Sequence, residues 1–253
     1  MSGSIGTNLV DLTVEPGALT AGTIDITGNL DADQNVETDT GSILVDGTAD
    51  TEGTLIGETG VDIGSTSDLG GDVTAEANDV DLGGSVTLTA DVVITGTNVD
   101  VTGSIDGDFD LTLDGTSTVS GTIGTAVTDL TVQTGSLTAG TIDIDGNLDA
   151  DQNVETDTGG ILVDGNVDAE GTLIAETTVN VGGTSDLGGD VTAEAGSIVL
   201  GDTTADDVTL TADVTLSATN LVDVAGGIDG NFNLEFSATN GSDVEETLSL
   251  IHI

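Results

Sequence analysis

Five polar residues at alternate positions, Asp31, Asp33, Asn35, Glu37 and Asp39, form the densest chemical cluster in the chain. The same pattern recurs as Asp149, Asp151, Asn153, Glu155 and Asp157. Carboxylates beside an amide oxygen are ligands for a hard cation, and calcium takes six to eight oxygens at about 2.3–2.6 Å. Asp31, Asp33 and Asn35 even open like an EF-hand loop. The likeness stops there, because Val36 stands where that loop needs Gly and Ser42 where it needs Glu. All five share one parity, so an extended segment lines them along a single face. Same-face neighbours on a strand lie ~6.8 Å apart, and a straight strand offers at most two carboxylates to one ion. The expectation for Asp31, Asp33, Asn35, Asp149, Asp151 and Asn153 is therefore a solvated acidic face. Calcium binding stays open as the alternative, and no metal ligand or cofactor is assigned.

Catalysis finds less support. The carboxylate pairs Asp206-Asp207 and Glu245-Glu246 suggest glycoside hydrolysis, which needs two carboxyl groups set across a sugar ring. The chain has no Trp or Tyr to hold that ring, no Lys or Arg to bind an acidic sugar, and a single His at position 252. Adjacent acids are common in so acidic a sequence, so no catalytic residue is assigned. The Gly-Gly pairs, such as Gly70-Gly71 and Gly188-Gly189, lack the Lys of a phosphate-binding loop and read as turns. Phe109 and Phe232, at equivalent places in a repeat, are expected to fill the core.

The charge balance narrows the partners. Across 253 residues there are 47 Asp plus Glu against no Lys or Arg, a formal charge of −47. Nothing in the chain can displace counter-ions from nucleic acid or anionic lipid, so neither is an expected partner. Diffuse cations are. Two carboxylates ~4.8 Å apart repel by roughly 0.9 kcal/mol even at the dielectric of water. Stability should therefore depend on salt. Disorder is not expected, since 36% of residues are hydrophobic and mean hydropathy is positive. The absence of Cys removes disulfides and thiolate metal sites.

The elements that carry these residues are read from a repeat. GNLDADQNVETDTG at Gly28–Gly41 returns at Gly146–Gly159, an offset of 118. TSDLGGDVTAEA at Thr66–Ala77 returns at Thr184–Ala195, and later matches shift by about five residues through an insertion in the second copy. Residues 1–118 form copy one, 119–241 copy two, and 242–253 a truncated end. Its last six residues, Leu248–Ile253, break the composition and resemble translated sequencing-adapter read-through in a metagenomic fragment.

Within each copy, runs such as Thr23-Ile24-Asp25-Ile26 and Val86-Thr87-Leu88-Thr89 alternate apolar with polar, which is the period of a strand. Glycine-bearing pairs interrupt them every ten or twelve residues. The fold is expected to be all-β. Small aliphatics with only three Phe favour a β-solenoid whose coils stack at ~4.8 Å, with roughly 20–30 residues per turn and four to six coils per copy. Tandem β-sandwiches of about 118 residues are the alternative, and these would be calcium-rigidified binding modules.

Three phrases carry a family likeness: LGGDVTAEA (Leu69–Ala77 and Leu187–Ala195), VTLTADVVITGTNVDVTGSIDGDFDLTLDG (Val86–Gly115) and VTDLTVQTGSLTAGTID (Val127–Asp143). They resemble the β-strand-repeat regions of large bacterial surface adhesins of the filamentous haemagglutinin type. The resemblance spans about residues 2–241. It implies export to the cell surface, a right-handed parallel β-helix, and an adhesive or structural role that involves neighbouring repeats and a host-surface or matrix ligand. It implies no catalytic residue. The chain departs from that family in lacking every Lys and Arg, which argues against binding acidic glycans.

Overall fold

The computed structural model describes residues 3–240, with the backbone of 242–244 and 248–250. Two compact units divide the chain at Gly121/Thr122. Among the described residues every regular element is a strand, most of them three residues long.

Most of the three-residue strands follow one rule: the first and third side chains are buried and the middle one faces outward. Ile24–Ile26, Leu30–Ala32 and Val36–Thr38 show this in three consecutive strands. Ladder partners are not neighbours in sequence. Leu30 pairs with Ala49, Ala49 with Ser67 and Ser67 with Val86, always in parallel. Three ladders thus share each unit, and the chain visits all three before returning one coil higher.

In the first unit, the first ladder runs through Ile24–Ile26, Ile43–Val45, Val61–Ile63 and Val80–Leu82. The second contains Leu30–Ala32, Ala49–Thr51 and Ser67–Leu69. The third contains Leu19–Ala21, Val36–Thr38 and Leu55–Gly57. The second unit repeats the plan, with Ile161–Val163 and Val179–Val181 in its first ladder, Leu148–Ala150 and Val167–Ala169 in its second, and Val154–Thr156 and Leu173–Ala175 in its third. This is a parallel β-solenoid, and the tandem-sandwich alternative is overturned. A sandwich needs two facing sheets about 10 Å apart; here each unit wraps one thin core.

The coil is shorter than the sequence suggests. Corner residues meet their counterparts 18 or 19 positions on, against an expected 20–30. Strands of three residues supply only two inward side chains each, so the interior closes with little chain. The insertion in the second copy lengthens one coil, where Asp190 meets Thr215 at a separation of 25. Its extra residues close on themselves: Asp206 Oδ2 accepts from the backbone N–H of Thr203 at 2.7 Å and from its hydroxyl at 2.8 Å. The ladders on either side continue undisturbed.

Side-chain size is graded around the core. First-ladder strands carry two large aliphatics, such as Ile24 and Ile26, or Val61 and Ile63. Third-ladder strands end on a small residue, as in Leu19/Ala21, Leu173/Ala175 and Val191/Ala193. The chain turns straight back there: a Cβ on Gly57 would lie 2.1 Å from the Gly60 carbonyl oxygen and 3.1 Å from Val61 Cγ2. Threonine is accommodated at that place because its hydroxyl finds the turn. Thr38 Oγ1 donates to the Gly41 carbonyl at 2.6 Å, and Thr156 Oγ1 to that of Gly159 at 2.9 Å. Other corners need glycine for close approach. A Cβ on Gly28 would sit 1.6 Å from the Val10 carbonyl oxygen, and on Gly146 1.9 Å from that of Thr128.

The aromatic residues do not fill the core. Phe109 is half-buried and Phe232 is 38% exposed. Both fall in corners outside the three-residue strands, whose inward positions aliphatics already occupy. The six-residue tail and Glu245-Glu246 were singled out by composition. Of these, the backbone of Leu248–Leu250 pairs with Ile228–Gly230, while Glu245, Glu246 and His252 lie outside the described residues.

Some of the inward hydroxyls are unpaired, Thr51 Oγ1 among them. Ser67 and Ser185 are buried at equivalent second-ladder positions, and their Oγ atoms have no hydrogen-bond partner. Leaving a polar atom unpaired costs about 1–3 kcal/mol, and the neighbouring rung already holds Ala49 in register with Ser67. Ser67→Ala and Ser185→Ala are expected each to stabilise the fold by about 1 kcal/mol, read as a higher urea midpoint.

Candidate functional site: acidic columns and corners

Stacking coils in register turns single outward residues into columns. Asp31, Asp50 and Asp68 are consecutive partners on the second ladder of the first unit, and Asp149, Asp168 and Asp186 are their counterparts in the second. A third column, Asp62, Asp81 and Asp100, rises on the first ladder of the first unit. All nine carboxylates are exposed.

These columns replace the single acidic face read from the sequence. Asp31 points outward from the second ladder, Asp33 and Asn35 form a corner, and Glu37 points outward from the third ladder. Shared parity fails as a guide because the chain changes direction at residues 33–35. Asp149, Asp151, Asn153 and Glu155 are divided in the same way. Each Asn serves a neighbouring coil, with Asn35 Oδ1 accepting from the Thr54 N–H at 3.1 Å and Asn153 Oδ1 from the Thr172 N–H at 3.0 Å. Among the described residues, no group of three or more acidic, His or Cys side chains is placed to hold a metal ion. Calcium takes six to eight oxygens around one point.

Corners do the work that the sequence left unassigned. In the second unit, Asp129 Oδ1 accepts from the N–H and side-chain amide of Asn147 at 2.6 and 3.1 Å. Asn147 Oδ1 accepts from the Asn166 N–H at 2.8 Å, and Asn166 Oδ1 from the N–H and hydroxyl of Thr184 at 2.9 and 3.0 Å. The first unit runs the same course from Asp11 through Asn29 to Thr48. Asp79 takes both nitrogens of Asn98, and Asp213 both nitrogens of Asn233. At each of these corners a side-chain oxygen ties one coil to the backbone of the next. Hydrogen bonds to a carboxylate are stronger than neutral ones, about 1.5–3 kcal/mol. The signal was present as an 18–19-residue recurrence of Asp, Asn and Thr beneath the larger 118-residue repeat.

Protonation is favoured at particular carboxylates. Partial desolvation first, then Asp62, Asp100 and Asp79, push the largely exposed Asp81 above its ordinary 3.8. Burial followed by Asp168 and Asp151 does the same to Asp149, and burial followed by Asp164 and Asp145 to Asp143. Glu58 is raised chiefly by a side-chain hydrogen bond to Glu76, one coil away, and by that group's charge.

Two surface depressions accompany the columns. One of about 290 Å³ in the first unit is lined by Ser42, Leu44, Thr59, Asp62, Asp79 and Asp81. The other, about 700 Å³ in the second unit, is lined by Asp190, Asp213, Val214, Asn233, Leu234 and Phe236. Asp206 and Asp207 stand apart from both. Asp206 closes its own turn, and Asp207 Oδ1 accepts from the Gly227 N–H at 2.9 Å. No helix among the described residues is long and apolar enough to cross a membrane. Comparison with known proteins yields no matching family model, no matching curated protein and no matching solved structure.

Two outcomes follow from this geometry. Asn147→Ala removes an acceptor and a donor from a corner column and is expected to cost about 1–2 kcal/mol, seen as a lower urea midpoint; an unchanged midpoint would show the column to be idle. Added NaCl is expected to raise the melting temperature by screening the stacked carboxylates. Calcium should act no differently from magnesium at equal concentration, and a gain peculiar to calcium would reveal a coordinating site.

Proposed function

We propose that this chain is a structural and adhesive shaft segment of a large, secreted, acidic repeat protein of the bacterial cell surface, and that it acts without catalysis. The observation that carries the reading is the coil itself, which repeats every 18 or 19 residues. Two side chains per strand are committed to the core and corner oxygens to the next coil. What remains outward is one residue per strand, chiefly Asp, Thr or an occasional aliphatic such as Leu44 or Ile174. Such a surface suits a load-bearing element that stays soluble in a cation-rich medium, because parallel ladders resist extension and acidic columns repel other copies. The adhesin resemblance supports the same role and supplies the extracellular location. Neighbouring repeats and a surface or matrix ligand are its partners in this reading, with diffuse cations around it.

Single-molecule pulling of the whole chain between terminal handles tests the mechanical part. Coils should peel away in steps near the length of one turn, about 6–7 nm at ~3.6 Å per extended residue. Release in one or two events of a whole unit each would remove the shaft reading. A parallel screen for reducing-sugar release from polysaccharides should show none; turnover abolished by substituting a depression carboxylate such as Asp190 would replace this role with an enzymatic one.

A further inference from the structure

We propose that the column Asp62–Asp81–Asp100 is a proton-responsive lock on the first unit, tightening its coils in mildly acidic surroundings and loosening them at neutral pH. Asp62 is the register partner of Asp81, and Asp81 of Asp100. Strands in a ladder are ~4.8 Å apart, so the central carboxylate has a like charge on both sides.

Every charged group facing Asp81 is negative. Val61–Ile63 brings Asp62 from below, the Val99–Val101 part of the next coil brings Asp100 from above, and its own corner brings Asp79. Val73–Ala75, the strand before that corner, brings no charge. No Lys or Arg exists anywhere in the chain to offset them. Asp79 is already engaged by Asn98 and cannot turn away.

The second unit supplies a natural contrast. At the positions 118 residues later stand Asn180 and Val199, themselves register partners, so the same ladder there has no carboxylate at either place. The fold therefore tolerates uncharged residues at both sites. Asp25 provides a second contrast, since it stacks on Leu44 rather than on another acid.

The sign of the effect is set by which state holds the proton more tightly. Burial and the neighbouring carboxylates raise Asp81 above 3.8 in the folded chain. Its contribution is then fully present below the unfolded value and is lost as pH rises through the folded one. Protonating Asp81 should strengthen this part of the fold, opposite in sign to a corner carboxylate that accepts from a backbone N–H.

Thermal melts of the full chain at low ionic strength, at pH 7.5 and near pH 4.5, test the lock. The wild type should melt higher at the acid value. The double variant Asp62→Asn/Asp81→Val, which installs the second unit's residues, should melt about 2–4 °C higher at pH 7.5 and lose part of the acid gain. Asp81→Asn alone should do the same to a lesser degree. Asp25→Asn should leave the acid gain intact. A wild type that melts lower in acid, a double variant that keeps the whole gain, or an Asp25→Asn variant that loses as much would each overturn the proposal, the last by assigning the effect to total charge.

Discussion

In-register stacking makes every residue face its own counterpart one coil away, at the spacing of hydrogen-bonded strands. That constraint organises the molecule. Inside, it sets aliphatic on aliphatic: Ile24, Ile43, Val61 and Val80 follow one another up the first ladder. Outside, it would set acid on acid, because the chain has no cation to interleave. The structure contains two answers to that conflict. At corners, Asp and Asn oxygens are turned onto backbone N–H groups of the adjacent coil, as in the Asp129–Asn147–Asn166 column. On the strands, acidic columns stop after three carboxylates, with Thr87 following Asp68 and Thr209 following Asp186.

The two answers differ in kind. Corner oxygens form bonds that exist only when coils are stacked, so acidity there contributes to the fold. Mid-strand carboxylates gain nothing from stacking and repel one another through water. The outside of each unit is consequently a mixture of stabilising and opposed groups. That balance is why its response to ions and protons should be graded. The proposed shaft role would draw on the first group for its mechanical part and on the second for repulsion between copies.

Departures between the repeats mark where the constraint is loose. Thr51 in the first unit becomes Ala169 in the second, both inward and buried. Asp62 and Asp81 become Asn180 and Val199, outward on the first ladder. The five-residue insertion enters at a corner, where Gly201 adopts φ 82° and Asp206 closes the loop. Changes of volume inside stay small, whereas outside and at corners the chain varies in charge and length.

Much of this was legible from residue order alone. Alternating runs such as Thr23–Ile26 specify strands, because an extended chain sends successive side chains to opposite sides, and small aliphatics with only three Phe favour a thin core. The internal repeat is likewise a property of the letters. Three things were decided only when the chain closed. The coil length came out at 18 or 19 residues because three-residue strands fill the interior. Phe109 and Phe232 moved to corners because aliphatics already hold the inward places. Asp31, Asp33, Asn35 and Glu37 were parted onto two ladders and a corner because the backbone turns between them. Local alternation says which side a residue takes, but the three-dimensional path says which residues meet, and a column of carboxylates arises only from residues about one coil apart.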